Sequence, residues 1–162
     1  MDNIKIKAIV VTVSDTRQIS DDVSGETLAG LLRQIGAEIV DKIIVSDDFE
    51  DLRQTLYVLS GREGVNLIVT TGGTGFAPRD NAPEATRAVI EREAPGLAEA
   101  MRAETLKKTP TAMLSRGVCG IRGQTLIINL PGSPRAVREC FEVIETVLPH
   151  AVNLIAGITR HN

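Results

Sequence analysis

Tryptophan is absent from this sequence, and three Phe and one Tyr make aromatic residues only 2% of it. The core therefore has to be aliphatic, and stacking of bases or sugars on aromatic platforms is not expected. Two cysteines, Cys119 and Cys140, are too few for a disulfide framework. No CxxC is present, and the only histidines, His150 and His161, lie near the C-terminus, so a zinc site is not expected. Both thiols are expected to be reduced and buried. No apolar run approaches the roughly 20 residues of a membrane span. The chain opens Met1-Asp2-Asn3-Ile4-Lys5 and passes into an apolar strand pattern without a leader pattern, which suggests a cytoplasmic protein. A basic surplus is lacking too: 18 basic against 21 acidic residues give a net charge of −3. Nucleic acid is therefore not an expected partner.

What is present describes an ordinary soluble fold. Hydrophobic residues make up 43% and charged residues 24% of 162 residues. That length suits one domain over 1–162, able to bury about 70% of its unfolded surface. The charge is uneven: residues 1–81 carry 8 basic and 13 acidic groups, residues 82–162 carry 10 and 8. Asp80 is the last aspartate.

Strand patterns run over Ile4–Val13, Ile39–Val45, Val65–Thr70 and Thr125–Leu130. Leu28, Leu31, Leu32 and Ile35 recur at helical spacing, with Gly36 just past the end. Leu52, Leu56 and Leu59 mark a second helix after the Ser46-Asp47-Asp48 start cluster, stopping at Gly61. Further helices are expected at 83–93 and 97–106, separated by Pro95-Gly96. The stretch 109–123 reads as irregular or short strand. Ser133-Pro134 opens a last helix through Val137, Phe141, Ile144 and Leu148, kinked or divided at Pro149. Alternation of this kind predicts an α/β domain with a largely parallel sheet and helices on both faces. In such sheets ligands lie beyond the carboxyl ends of the strands. Ser14-Asp15, Ser46-Asp47, Thr71-Gly72-Gly73-Thr74-Gly75 and Pro131-Gly132-Ser133 would then share one edge.

The glycine loop can bring backbone N–H groups close to an anion. It is neither a P-loop nor a G-x-G-x-x-G fingerprint, and a plain tight turn is the other reading. Asp80 would repel phosphates unless a cation lay between. Mg²⁺ suits that role, with Asp47 as the second carboxylate. In the alternative, Asp47 or Asp48 caps the following helix, and Asp80 pairs with Arg79 or a neighbour. The 130–134 turn could offer helix N-terminal N–H groups. Ser115-Arg116 and Arg122 could add anion contacts.

Thr71-Gly72-Gly73-Thr74-Gly75-Phe76-Ala77-Pro78-Arg79-Asp80, Pro83-Glu84-Ala85-Thr86, Pro110 to Arg116 and Leu130 to Pro134 together resemble the MogA/MoaB family, which includes the gephyrin G domain and its plant counterpart. The resemblance runs from about Ile6 to about Leu154. It implies adenylyl transfer from ATP to molybdopterin with Mg²⁺, releasing pyrophosphate, in molybdenum cofactor biosynthesis. It also implies a three-layer α/β/α sandwich with one antiparallel strand, a homotrimer or homohexamer, and handover to a molybdate-inserting protein. By motif position, Asp47 and Asp80 match the catalytic, metal-holding aspartates, and Thr71 to Gly75 match the nucleotide-phosphate loop. Ser14, Asp15, Ser115, Arg116, Pro131, Gly132 and Ser133 match positions lining the substrate pocket. Asn81-Ala82 departs from the family's usual Val-Thr. With Pro83 at the first helical position, Ala82 is expected at the N-cap, where Ala costs about 1 kcal/mol relative to Thr. That would loosen the Asp80 loop and favours an alternative, a non-catalytic molybdopterin- or nucleotide-binding paralogue.

Overall fold

The computed structural model describes residues 3–159; His161 lies outside them. Strand β1 (Lys7–Val13) leads into a loop containing a 3₁₀ turn at Ile19–Asp21, then helix α1 (Val23–Gln34). Strand β2 (Glu38–Val45), helix α2 (Phe49–Ser60) and strand β3 (Leu67–Thr71) follow. Helix α3 (Ala82–Val89), strand β4 (Arg92–Glu93) and helix α4 (Pro95–Leu106) come next. A 3₁₀ turn at Pro110–Leu114 precedes strands β5 (Cys119–Arg122) and β6 (Thr125–Leu130). Helices α5 (Pro134–Ile144) and α6 (Leu148–Ile155) complete the order.

The six strands form one sheet in the order β2-β1-β3-β6-β5-β4. The pairs β1–β2, β1–β3 and β3–β6 are parallel. Strand β5 runs against both its neighbours, so one reversed strand makes two antiparallel pairs. The expected mostly parallel sheet with a single antiparallel strand is what forms.

The strands alternate between two cores. Ala8, Val10, Leu67, Val69, Leu126, Ile128 and Leu130 join α1, α4, α5 and α6 residues, with Phe141 fully buried among them. Ile9, Val11, Val13, Ile68 and Ile127 pack instead with Leu52, Leu56 and Leu59 of α2 and with Ala82, Ala85 and Val89 of α3. Period-two side-chain direction thus sends successive residues to opposite layers, which explains the near-continuous apolar strand runs. Each large aliphatic side chain so buried contributes about 1.5–3 kcal/mol.

Several boundaries differ from the sequence reading. Asp22 accepts from the Gly25 N–H at 2.9 Å and starts α1 inside the expected loop. The expected helix 83–93 ends at Val89, because Arg92 and Glu93 pair with Ile121 and Gly120 of β5. Pro95 sits in the first turn of α4 rather than before it. Pro149 does divide the last helical stretch, and Leu148 falls in α6. Cys119 and Cys140 are buried, and burial pushes their thiols up to about 12 and about 11. Among the described residues no helix is long and apolar enough to cross a membrane.

Candidate active site

The parallel strands bring Val13, Val45, Thr71 and Leu130 to one edge, and the loops beyond them interlock. The Ser14 N–H donates to the Val45 carbonyl at 2.9 Å, and the Gly72 N–H to the Leu130 carbonyl at 3.0 Å. The Thr71 hydroxyl donates to the Pro131 carbonyl at 2.7 Å. Gly72 has φ +100°, and a Cβ there would stand 2.6 Å from the Val13 carbonyl oxygen. A Cβ on Gly132 would lie 3.4 Å from the Gly72 Cα. Gly72 is required to be glycine here, by its positive φ and by the Val13 backbone against it.

Asp15 and Asp47, 32 residues apart, bond reciprocally: the Asp15 N–H donates to Asp47 Oδ2 at 2.9 Å, and the Asp47 N–H to Asp15 Oδ1 at 3.0 Å. The capping alternative falls to Asp48, whose Oδ2 accepts from the Asp51 N–H at 3.0 Å. Asp47 is therefore released from helix capping. Its Oδ1 would lie 3.4 Å from a Cβ on Gly73, so the carboxylate sits over the glycine loop. Asp80 does not pair with Arg79. Its Oδ2 accepts from the Ala77 N–H at 2.9 Å, and a Cβ on Gly75 would meet that same oxygen at 2.9 Å. Arg79 turns instead to Asp15, donating from Nε at 2.7 Å and from the second nitrogen at 3.0 Å. Among the described residues, Oδ1 of Asp47 and Oδ1 of Asp80 accept no hydrogen bond. Each carboxylate thus has one oxygen held and one open.

The Gly72 amide is committed to Leu130, which leaves the amides of Gly73, Thr74 and Gly75 without a hydrogen-bond acceptor among the described residues. At the 131–133 turn the Gly132 and Ser133 N–H groups have no acceptor among the described residues, whereas the helix that follows offers few. Pro134 has none, and Ser133 takes the Ala136 N–H at 3.1 Å, so Arg135 alone keeps a free amide in the first turn of α5. Arg116 braces the glycine loop. Its N–H donates to Thr74 O and its Nε to Gly75 O, both at 2.8 Å; a terminal nitrogen reaches Asp80 O at 2.8 Å, and the other pairs with Glu84. Arg122 lies elsewhere, over the Tyr57 ring and bonded to Ser60, away from the strand ends. Ser115 lines a cavity of about 220 Å³ beside the loop, with Thr74, Gly75, Met101, Pro131 and Cys140 on its mainly apolar walls.

Two features were not read from the sequence. Buried Asp22 accepts from the Thr12 hydroxyl at 2.6 Å, and Ser24 donates to the Gly132 carbonyl at 2.5 Å while accepting from Arg17 at 2.9 Å. This pins the start of α1 to the 131–133 turn; only the Asp22-x-x-Gly25 capping pattern hinted at it. The second concerns Asn81-Ala82. Asn81, not Ala82, occupies the N-cap of α3, and its side chain makes no cap bond. The Ala82 N–H donates to the Gly73 carbonyl at 3.0 Å, and Ala82 is fully buried. The corner expected to be loose is held by the glycine loop itself. Further along α3, Thr86 and Thr70 both accept from the Asn129 side-chain amide, at 2.9 and 3.0 Å.

Charge at the site is unequal. Burial, then the Asp15 charge, raises the Asp47 carboxyl above its ordinary value of 3.8, and Asp80 adds to the effect. Asp15 is held below 3.8, chiefly by the Arg79 hydrogen bond. The stabilisation from Asp15 is present above its unfolded value and is lost as pH falls through the folded one. Asp47 behaves oppositely: its favourable contribution belongs to the protonated form, and is lost as pH rises through its folded value. Asp47→Asn is therefore expected to raise the thermal midpoint at neutral pH in metal-free buffer, with the gain shrinking in acid as the Asp47 carboxylate takes up its proton. Melting curves across that range check it; a gain that persists in acid counts against it.

No three His, Cys, Asp or Glu side chains converge to hold a metal among the described residues. A dedicated protein cage is thus absent. Two hard oxygen donors remain, one open on each of Asp47 and Asp80. That donor set fits Mg²⁺, which is held through one or two carboxylates together with substrate phosphates.

Comparison with known proteins places the chain in a family. Residues 9–150 match the family model described as "Probable molybdopterin binding domain". The chain is 49% identical over 149 residues to the molybdenum cofactor synthesis protein cinnamon of Drosophila melanogaster, covering 90% of this chain but only 25% of that protein. It is 40% identical over 152 residues to a molybdopterin adenylyltransferase of Helicobacter pylori, covering 91% of this chain and 86% of that enzyme. Among solved structures, the molybdopterin biosynthesis enzyme MoaB of Thermus thermophilus superposes with a TM-score of 0.86 at 46% identity, over 94% of this chain and 97% of that one.

Proposed function

Because this chain belongs to the molybdopterin binding domain family of molybdenum cofactor biosynthesis, we propose that it is a molybdopterin adenylyltransferase. A phosphate oxygen of molybdopterin attacks the α-phosphorus of ATP in line. The new P–O bond forms as the bond to the α,β-bridging oxygen breaks, and pyrophosphate leaves with that electron pair. The attacking phosphate is already ionised, so no general base is needed.

The observation that carries this reading is the pair of open carboxylate oxygens, on Asp47 and Asp80, beside a glycine loop with three uncommitted amides. Asp47 and Asp80 would hold Mg²⁺, which when bound neutralises charge on the phosphates and the leaving pyrophosphate. The Gly73, Thr74 and Gly75 amides donate to phosphate oxygens, while Thr71 and Gly72 fix the loop against the neighbouring strand ends. Arg116 acts through that loop, holding Thr74, Gly75 and Asp80. Ser14, Asp15, Ser115 and the Pro131-Gly132-Ser133 turn line the pocket that takes the two substrates. The chain works as one domain over 1–162, in the cytoplasm, as a homotrimer or homohexamer, and passes its product to a molybdate-inserting protein. The carrier alternative rested on a loosened Asn81-Ala82 corner, and the Ala82–Gly73 bond removes that motive.

The test is pyrophosphate release with ATP, Mg²⁺ and molybdopterin. Release is expected only when all three are present. ATP binding without release in the complete mixture would sink the enzyme reading in favour of a carrier.

A further inference from the structure

We propose that Asn81 is a positioning residue for Asp47, whose side-chain amide ties the two carboxylate-bearing loops together and so sets how tightly this chain takes up a divalent cation. Its Nδ2 donates to the Asp47 backbone carbonyl at 3.0 Å, across 34 residues of sequence. The Asp47 peptide is thereby clamped on both sides: the N–H goes to Asp15, the carbonyl receives Asn81. Asn81 directly follows Asp80, so one residue couples both carboxylates through a single backbone segment. The side chain is free for this task because it makes no cap bond to α3. The Gly73 carbonyl takes the Ala82 N–H, and Pro83 has no N–H to satisfy.

Partners that orient metal-holding side chains typically change metal affinity by about tenfold or more when removed. The inference deepens the adenylyl-transfer reading, but its test does not depend on turnover. Asn81→Leu keeps similar bulk and deletes the donor; Asn81→Val, smaller and likewise without a donor, guards against a folding failure in the first variant. Mn²⁺ binding, read by electron paramagnetic resonance in the presence of α,β-methylene-ATP, is expected to weaken about tenfold in both. The Mg²⁺ concentration for half-maximal pyrophosphate release is expected to rise by the same factor, with the KM for molybdopterin unchanged. A lowered melting temperature with unaltered Mn²⁺ affinity would show a merely structural contact and overturn the inference, as would absence of Mn²⁺ binding in the wild type. Wild-type protein that binds Mn²⁺ but releases no pyrophosphate would overturn the enzymatic reading alone, and the Mn²⁺ comparison would still decide the role of Asn81.

Discussion

Asp80→Ala is expected to slow pyrophosphate release from ATP and molybdopterin by about 100- to 1,000-fold, the usual loss when one preorganised electrostatic element is removed from a reacting centre. The fold should survive. Asp80 is only partly buried, and the one hydrogen bond of its side chain among the described residues, from the Ala77 N–H, lies at the surface, where water replaces it at little cost. The neighbouring backbone is secured independently, by Arg116 on the Asp80 carbonyl and by the Ala82–Gly73 bond. Activity and stability are therefore expected to separate: a large drop in kcat, a KM for molybdopterin close to wild type, and a melting temperature within a few degrees of it. Unchanged turnover would remove Asp80 from the machinery.

Gly72→Ala should do the reverse and damage the scaffold first. Its φ of +100° is a conformation L-residues rarely adopt, and the added Cβ would stand 2.6 Å from the Val13 carbonyl oxygen. That oxygen belongs to the backbone at the end of a central strand and cannot swing aside as a side chain could. Backbone strain of this kind, added to a steric clash, costs about 2–4 kcal/mol. In urea the unfolding midpoint is expected to fall with the slope unchanged, the signature of lost stability without a change in the surface exposed. A midpoint equal to wild type would mean that the loop can rearrange freely, contrary to the interlocked geometry.

The parallel core was legible in the sequence because strands buried on both faces leave uninterrupted runs such as Ile9-Val10-Val11, and because β6 begins and ends where its aliphatic pattern does. The short strand β4 was not legible. Two charged residues, Arg92 and Glu93, carry no hydrophobic pattern, and only their backbone pairing with β5 makes them a strand. The site shows the same division. Clustering of polar residues at four strand ends follows from sheet polarity and could be anticipated. Which of Asp47 and Asp48 caps α2, and whether Arg79 faces Asp80 or Asp15, depend on loop paths that no local spacing encodes. Asn81 makes the point most sharply. Helix-start rules placed the cap one residue late and pointed to weakness, whereas the tertiary bond from Ala82 to Gly73 holds this corner without a cap bond.

Strand direction also gives the molecule two ends of unequal consequence. With the glycine loop at the carboxyl tips, the β5–β6 hairpin turns at the far end, where Gly123 and Gln124 are exposed and Gly123 has φ +56°. A fluorophore, a surface linker or a fused partner joined at that hairpin would hang a full strand length from the glycine loop. Immobilisation there leaves the working rim facing the bulk solution.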